Sequence, residues 1–171
     1  MILSVQELRE FITTDLTNTV LEAKLSAIEH LIRAYTNNNF QNRRIRCTSA
    51  IVDGVILTPS TYFADGDTVQ ITDSALNDGL FVYHLADNSV VPHPFDCEDN
   101  LITKVEYPPD IKMGVINLMQ WDLSKRDKLG IASETISRHS VSYTSMDGSN
   151  SSHGFPSALM GFLKPYMKAR F

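Results

Sequence analysis

Ser137, His139 and Asp147 bring the three residue types of an acyl-transfer triad into one short span of the chain. A serine nucleophile needs its base held within hydrogen-bond reach by a rigid frame. The span that carries these three, residues 131–154, is instead rich in Ser, Thr and Asn and has no Gly-x-Ser-x-Gly elbow. A cation is the next possibility, at Asp65-Gly66-Asp67 and Asp73, but their order does not match an EF-hand loop. Cys47 and Cys97 stand alone, with neither a Cys-x-x-Cys pair nor a histidine at ligand spacing, and read as two free thiols. Phosphate-cradling glycine loops, dinucleotide fingerprints and zinc-spaced histidine pairs are all missing. Arg43, Arg44 and Arg46 suit phosphate by type, yet the only aromatic beside them is Phe40. A solvated strand entry, or a set of ion-pair donors to an acidic neighbour, accounts for them better. The sequence therefore assigns no catalytic, metal or cofactor-binding residue and no cofactor, and it points to a structural or interaction protein rather than an enzyme.

The elements that would position any site begin with a long helix predicted over residues 110–128. Pro108 and Pro109 open it, because first-turn N–H groups lack intrahelical partners anyway. Ile111, Val115, Leu118 and Met119 mark one apolar face, while Ile116, Trp121 and Leu123 widen it, so the helix is contacted on several sides. Gly130 is its expected terminator. Upstream, Ser4 with Glu7 forms a capping box for a short first helix, and Thr19 with Glu22 reads as a second box opening the next. There Leu21, Leu25, Ile28, Ile32 and Tyr35 repeat at helical spacing until Asn37, Asn38 and Asn39 end the helix.

From Ile45 to Val105 the period changes to that of strands. Asp53-Gly54 and Asp87-Asn88 are turn signals between short apolar runs, residues 95–100 read as a loop, and residues 101–105 as a final strand. After Gly130 the polar span leaves room for one extended strand or hairpin arm around residues 137–144. Pro156 then opens a last helix with Leu159, Phe162, Leu163 and Tyr166 on one face, bent at Pro165. The expected fold is a mainly α, helical-bundle core with a small antiparallel β subdomain inserted into it (α+β). Residues 1–44 and 106–171 form the core, and residues 45–105 form the insert.

The 171 residues carry a net charge of −5, with 43% hydrophobic and 20% charged residues, as an ordinary folded chain does. The charge is unevenly spread. Residues 47–107 hold ten acids against one base, Lys104, a net −9, and the remainder holds fourteen bases against ten acids, a net +4. Such a split favours oriented contacts with different neighbours. No signal peptide or membrane-spanning run is visible, so a cytoplasm-like site of synthesis is expected, with no membrane partner.

The short first helix, "TVLEAKLSAIEHLIRAYTNNNF", "YPPDIKMGVINLMQWDLSKRDKLGIASETISRHSVSYT" and the closing "GFPSALMGFLKPYMKARF" together resemble the head-to-tail connector, or adaptor, proteins of long-tailed bacteriophages. The resemblance covers roughly residues 1–44 and 106–171, and the β segment departs from the shortest, wholly helical members of that family. It implies a virion protein made in the host cytoplasm, docked as a ring, commonly of twelve copies, under the portal at the head–tail interface. Its partners would be the portal protein, neighbouring copies of itself, a downstream connector or tail component, and passing double-stranded DNA that is not read for sequence. On this reading the arm and the last helix carry the contacts to the portal or to adjacent subunits, through Ser137, Arg138, His139, Val141, Tyr143, Phe162, Tyr166, Arg170 and Phe171. Asp65 and Asp67 mark a contact surface on the β insert. A tail-completion or other virion accessory protein, and more distantly a nucleic-acid-binding module built on Arg43, Arg44 and Arg46, are the alternatives.

Overall fold

A computed structural model describes residues 1–125, 133–136, 139–142 and 151–169. The chain divides into two compact units, residues 39–107 and residues 1–38 together with 108–171.

Residues 39–107 form a closed, wholly antiparallel barrel. Its strands are β1 (Gln41–Val52), β2 (Val55–Ile56), β3 (Thr68–Thr72), β4 (Gly79–His84), β5 (Ser89–Val91) and β6 (Cys97–Val105), in the order β1-β2-β5-β4-β3-β6. The β1–β2 turn is Asp53-Gly54, with φ of 50° and 74°, the sign that a two-residue hairpin turn of matching twist requires. Inward positions of every strand supply the core: Ile51, Ile56, Val69, Ile71, Phe81, Tyr83, Val90 and Ile102, with Phe63 from the β2–β3 loop. Ile102, Ile51 and Ile71 have no exposed surface at all.

This architecture overturns the expected helical bundle with a small β insertion. The chain is mixed α/β, and its β part is a six-stranded sheet that closes on itself around a core of its own. Closure depends on two strands whose lengths the turn signals hid. β1 runs twelve residues and pairs with β2 at one end while pairing with β6 along its length. β6 starts at Cys97, inside the stretch expected to be a loop, because Asn100 is buried in the ladder with its side chain satisfied by backbone carbonyls. The helices are also fewer and shorter than a bundle needs. Only two described α-helices exceed ten residues, and the last helix is a 3₁₀ helix.

The other unit contains α1 (Val5–Phe11), α2 (Asn18–Thr36), α3 (Pro109–Lys125) and the closing 3₁₀ helix (Ser157–Tyr166). Between α3 and the 3₁₀ helix lie two small hairpins, β7 (Ser133–Ile136) with β8 (His139–Ser142), and β9 (Ser151–Ser152) with β10 (Phe155–Pro156). The Ser4–Glu7 capping box forms reciprocally, Ser4 Oγ accepting from the Glu7 amide at 3.1 Å and Glu7 Oε2 from the Ser4 amide at 2.8 Å. α2 begins before the expected Thr19–Glu22 box, and its N-cap, Thr17, makes no side-chain cap bond. Arg9 takes over instead, its guanidinium donating to Asn18 Oδ1 and to the Thr14 and Leu16 carbonyls, which fixes the α1–α2 connection. Leu21, Leu25, Ile28 and Ile32 of α2 and Ile111, Val115, Leu118 and Met119 of α3 are buried, and so is Ile116 on another side of α3. Gly130 lies outside the described residues.

Candidate functional site

The polar arm forms the β7–β8 hairpin, with Ser133 opposite Ser142, Glu134 opposite Val141, Thr135 opposite Ser140 and Ile136 opposite His139. Among the described residues neither strand pairs with anything else, so each keeps one free edge of backbone N–H and C=O groups. A lone two-stranded hairpin is marginal in water, and an open edge is a template for another strand. His139 and Val141 sit on β8. Ser137, Arg138, Tyr143 and Asp147 lie outside the described residues, as do Arg170 and Phe171.

The 3₁₀ helix is fastened to its own unit. Met160 and Leu163 are buried, and the Phe162 ring covers Gly114 so closely that a Cβ there would overlap it. The Tyr166 hydroxyl donates to the Asp110 carboxylate at 2.7 Å, and this bond pushes the phenol pKa above its ordinary value. Beyond it, the Lys168 amide donates to the Thr36 carbonyl at 2.8 Å, and the Asn37 and Asn38 side chains donate to the Ala169 and Tyr166 carbonyls. Phe162 and Tyr166 are thus brought together against α3, as anchors of the 3₁₀ helix.

α2 and α3 are also linked by Lys24 Nζ and the buried Asp122 carboxylate at 2.6 Å. That pair lies in the wall of a cleft of about 650 Å³ shared with Phe11, Leu16 and Leu123. Thr13, Thr14, Asp15 and Ser124 also line it, with the Ser124 hydroxyl donating to the Gln120 carbonyl and Thr14 Oγ1 accepting from the Leu16 amide, and the Lys24–Asp122 pair braces the two helices.

On the barrel, Asp65 and Asp67 have different jobs. Asp65 is exposed, and its Oδ1 accepts from the Leu85 amide at 3.0 Å. Asp67 is largely covered, its carboxylate accepting from the Ala64 amide at 2.7 Å and pairing with Lys104 at 2.7 Å. Asp65 belongs to the outer surface, whereas Asp67 holds the β2–β3 loop in place.

The barrel has two distinct ends. The chain enters and leaves at one of them, where Gln41 pairs with Val105 and the rings of Phe40 and Tyr107 lie 4.9 Å apart. At the other end three loops meet: the β1–β2 turn, the β3–β4 loop (residues 73–78) and the β5–β6 loop (residues 92–96). Buried Asn77 clamps two of them, its Nδ2 donating to the Phe95 carbonyl at 2.7 Å and its Oδ1 accepting from the Phe95 amide at 2.9 Å. Asn77 also bonds Asn100, which donates to the Ser49 and Cys97 carbonyls. The Asp53 amide donates to Asp96 Oδ1 at 2.7 Å, and the His93 ring fills the space a Cβ at Gly54 would need. The result is a stiff end on which the Phe95 side chain is 70% exposed. Sequence reasoning treated Phe95 as part of a loop and missed this surface. No local signal marked it, because Asn77 beside Asp78-Gly79 looks like any turn asparagine until its partner Phe95 is known.

Cys47 and Cys97 are free thiols in different settings. Burial raises the Cys47 pKa, while the Ser74 hydroxyl lowers that of Cys97. No group of three or more His, Cys, Asp or Glu side chains able to hold a metal ion occurs among the described residues, and no described helix is long and apolar enough to cross a membrane. The chain matches no known family model and no curated protein.

Proposed function

We propose that this protein is a structural component of a long-tailed bacteriophage virion, a subunit of the ring that joins the capsid portal to the tail and lets DNA pass. The observation that carries this reading is the β7–β8 hairpin, a two-stranded sheet that pairs with no other strand among the described residues and lies in sequence between the two apolar elements of one unit. Such an arm gains stability when another chain supplies the missing strand or covering surface, which suits a part that works only in an assembly. The resemblance of both helical stretches to connector proteins supports the same reading. The arm, with Ser137, Arg138, His139, Val141 and Tyr143, contacts the portal or the adjacent subunit, while Arg170 and Phe171 extend that contact beyond the anchored 3₁₀ helix. The protein resides at the head–tail interface. A tail-completion role differs by showing another stoichiometry than a ring at a unique vertex.

The anchoring of the 3₁₀ helix decides the test. Deleting residues 157–171 would strip buried Met160 and Leu163 from the unit and confuse folding with docking. Replacing residues 133–142 by a short Gly-Ser linker removes the arm alone. The expected outcome is a soluble, folded protein that leaves filled heads and free tails unjoined in infected cells. Normal joining by that variant would refute the assignment.

A further inference from the structure

Six of the barrel's ten acids gather at its stiff end, while Asp65, Asp67, Asp87 and Glu106 lie toward the end that holds all of its bases. Residues 39–107 hold ten acids and four bases, a net −6. One base, Lys104, is already held by Asp67 at 2.7 Å and Glu106 at 3.7 Å. The other three, Arg43, Arg44 and Arg46, are exposed on β1 where the ladder is irregular: residues 42–45 face the single residue Lys104 of β6. A bulge of this kind turns side chains outward. Among the described residues no carboxylate lies within ion-pair distance of these guanidinium groups.

The stiff end of the barrel is their complement. Asp53, Asp73, Asp78, Asp96, Glu98 and Asp99 lie on or next to its three loops, with no Lys or Arg from residue 47 to residue 103. Among them stand four exposed apolar side chains, Val52, Leu76, Val91 and Phe95. An apolar centre with a charged rim is the ordinary anatomy of a protein interface. The Asn77–Phe95 clamp means little ordering entropy is lost when the surface is covered. The arginines lie at the opposite end of β1, roughly 25 Å away at about 3.3 Å per residue, so one barrel cannot bring its own two patches together. A second copy can.

We infer that the acidic end of one barrel seats on the Arg43–Arg44–Arg46 face of β1 in a second copy of this chain, with Phe95 at the centre of the contact. The two patches are different surfaces, so the contact is heterologous and repeats from copy to copy, closing into a ring or running on as a chain. This deepens the connector reading, which needs contacts between neighbouring copies, but its test uses purified protein and stands apart from head–tail joining.

The test is sedimentation of the full-length chain over a range of concentrations at low and high salt, with two charge-reversed variants. Arg43→Glu/Arg44→Glu alters the basic face. Glu98→Arg/Asp99→Arg alters the acidic end at exposed residues for which no side-chain bond is seen. The wild type is expected to self-associate and to dissociate as salt rises. Each variant alone should associate about tenfold more weakly or less, as expected for like charges set against each other, and an equimolar mixture of the two should recover association because the reversed patches again match. Phe95→Ala should weaken association in all salts. Thermal melting of each variant at the wild-type temperature separates lost contact from lost fold. A wild type that stays monomeric at every concentration, or folded variants whose mixture remains monomeric, would overturn the inference. So would an arginine-face variant that self-associates normally but loses salt-sensitive affinity for double-stranded DNA, since that face would then serve phosphate. In any of these cases a failed head-joining result for the arm-deleted variant would still stand.

Discussion

The barrel and the helical unit offer a partner opposite kinds of surface. The barrel closes on itself, with β1 meeting β2 at Ile51 and Val52 and β6 along its length, so what it mainly offers a partner is side chains at its ends and faces. The β7–β8 hairpin of the helical unit is the reverse case: among the described residues its two strands pair only with each other, and in the proposed assembly backbone hydrogen bonds to another chain would extend it. The charges follow the same division: residues 39–107 carry a net −6, whereas the rest holds eleven bases against ten acids. The contacts proposed above thus differ in kind, through charged side chains on a stiff end in one unit and through strand pairing in the other.

Damage confined to one unit should leave the other intact. Ile102→Ala removes a fully buried side chain from the barrel core and should cost about 3 kcal/mol. Hydrogen exchange should then show lost protection in residues 41–105 with α2 and α3 unchanged, and equal loss in both would show that they are not separate units. Gly114→Val is the counterpart in the helical unit. Its side chain would collide with the Phe162 ring and should cost about 2 kcal/mol, and adding Phe162→Ala should recover part of that loss.

Smaller effects sharpen the account. The Ser4 amide holds the Glu7 carboxylate below the usual range, so the capping box stabilises α1 at neutral pH. Because the folded pKa is the depressed one, that contribution is lost as pH falls through it. The extra amide protection of α1 in wild type over Glu7→Ala should therefore be present at pH 7 and vanish in acid. The smallest expected effect is chemical. Limiting iodoacetamide should label Cys97 before Cys47, since the Ser74 hydroxyl favours the Cys97 thiolate and burial disfavours that of Cys47. Mass spectrometry of the labelled peptides reads the order directly.

Local signals in the sequence suffice where one short-range rule decides the structure. The Asp53-Gly54 turn, the Ser4–Glu7 box, the left-handed Asn37 at the end of α2 and the buried face of α3 all follow from residue type and spacing. Properties that depend on distant residues were not legible. Whether six short strands stay a small sheet or close into a barrel depends on β1 pairing with both β2 and β6, up to 64 residues apart for Gln41 and Val105. Thr19 and Glu22 have the right spacing for a capping box, but α2 starts at Asn18, whose side chain accepts from the distant Arg9. The surfaces were equally hidden. Phe162 and Tyr166 show the same pattern whether they face a partner or α3, and the exposure of Phe95 depends on a clamp by Asn77, eighteen residues away.

The most direct measurement is imaging of purified virions with the symmetry of the tail vertex preserved. The account predicts a ring of this chain between portal and tail, with the barrel of each copy visible as a closed six-stranded lobe and the 133–142 hairpin paired to another polypeptide. Virions without this chain, or copies of it spread over the capsid surface, would contradict it.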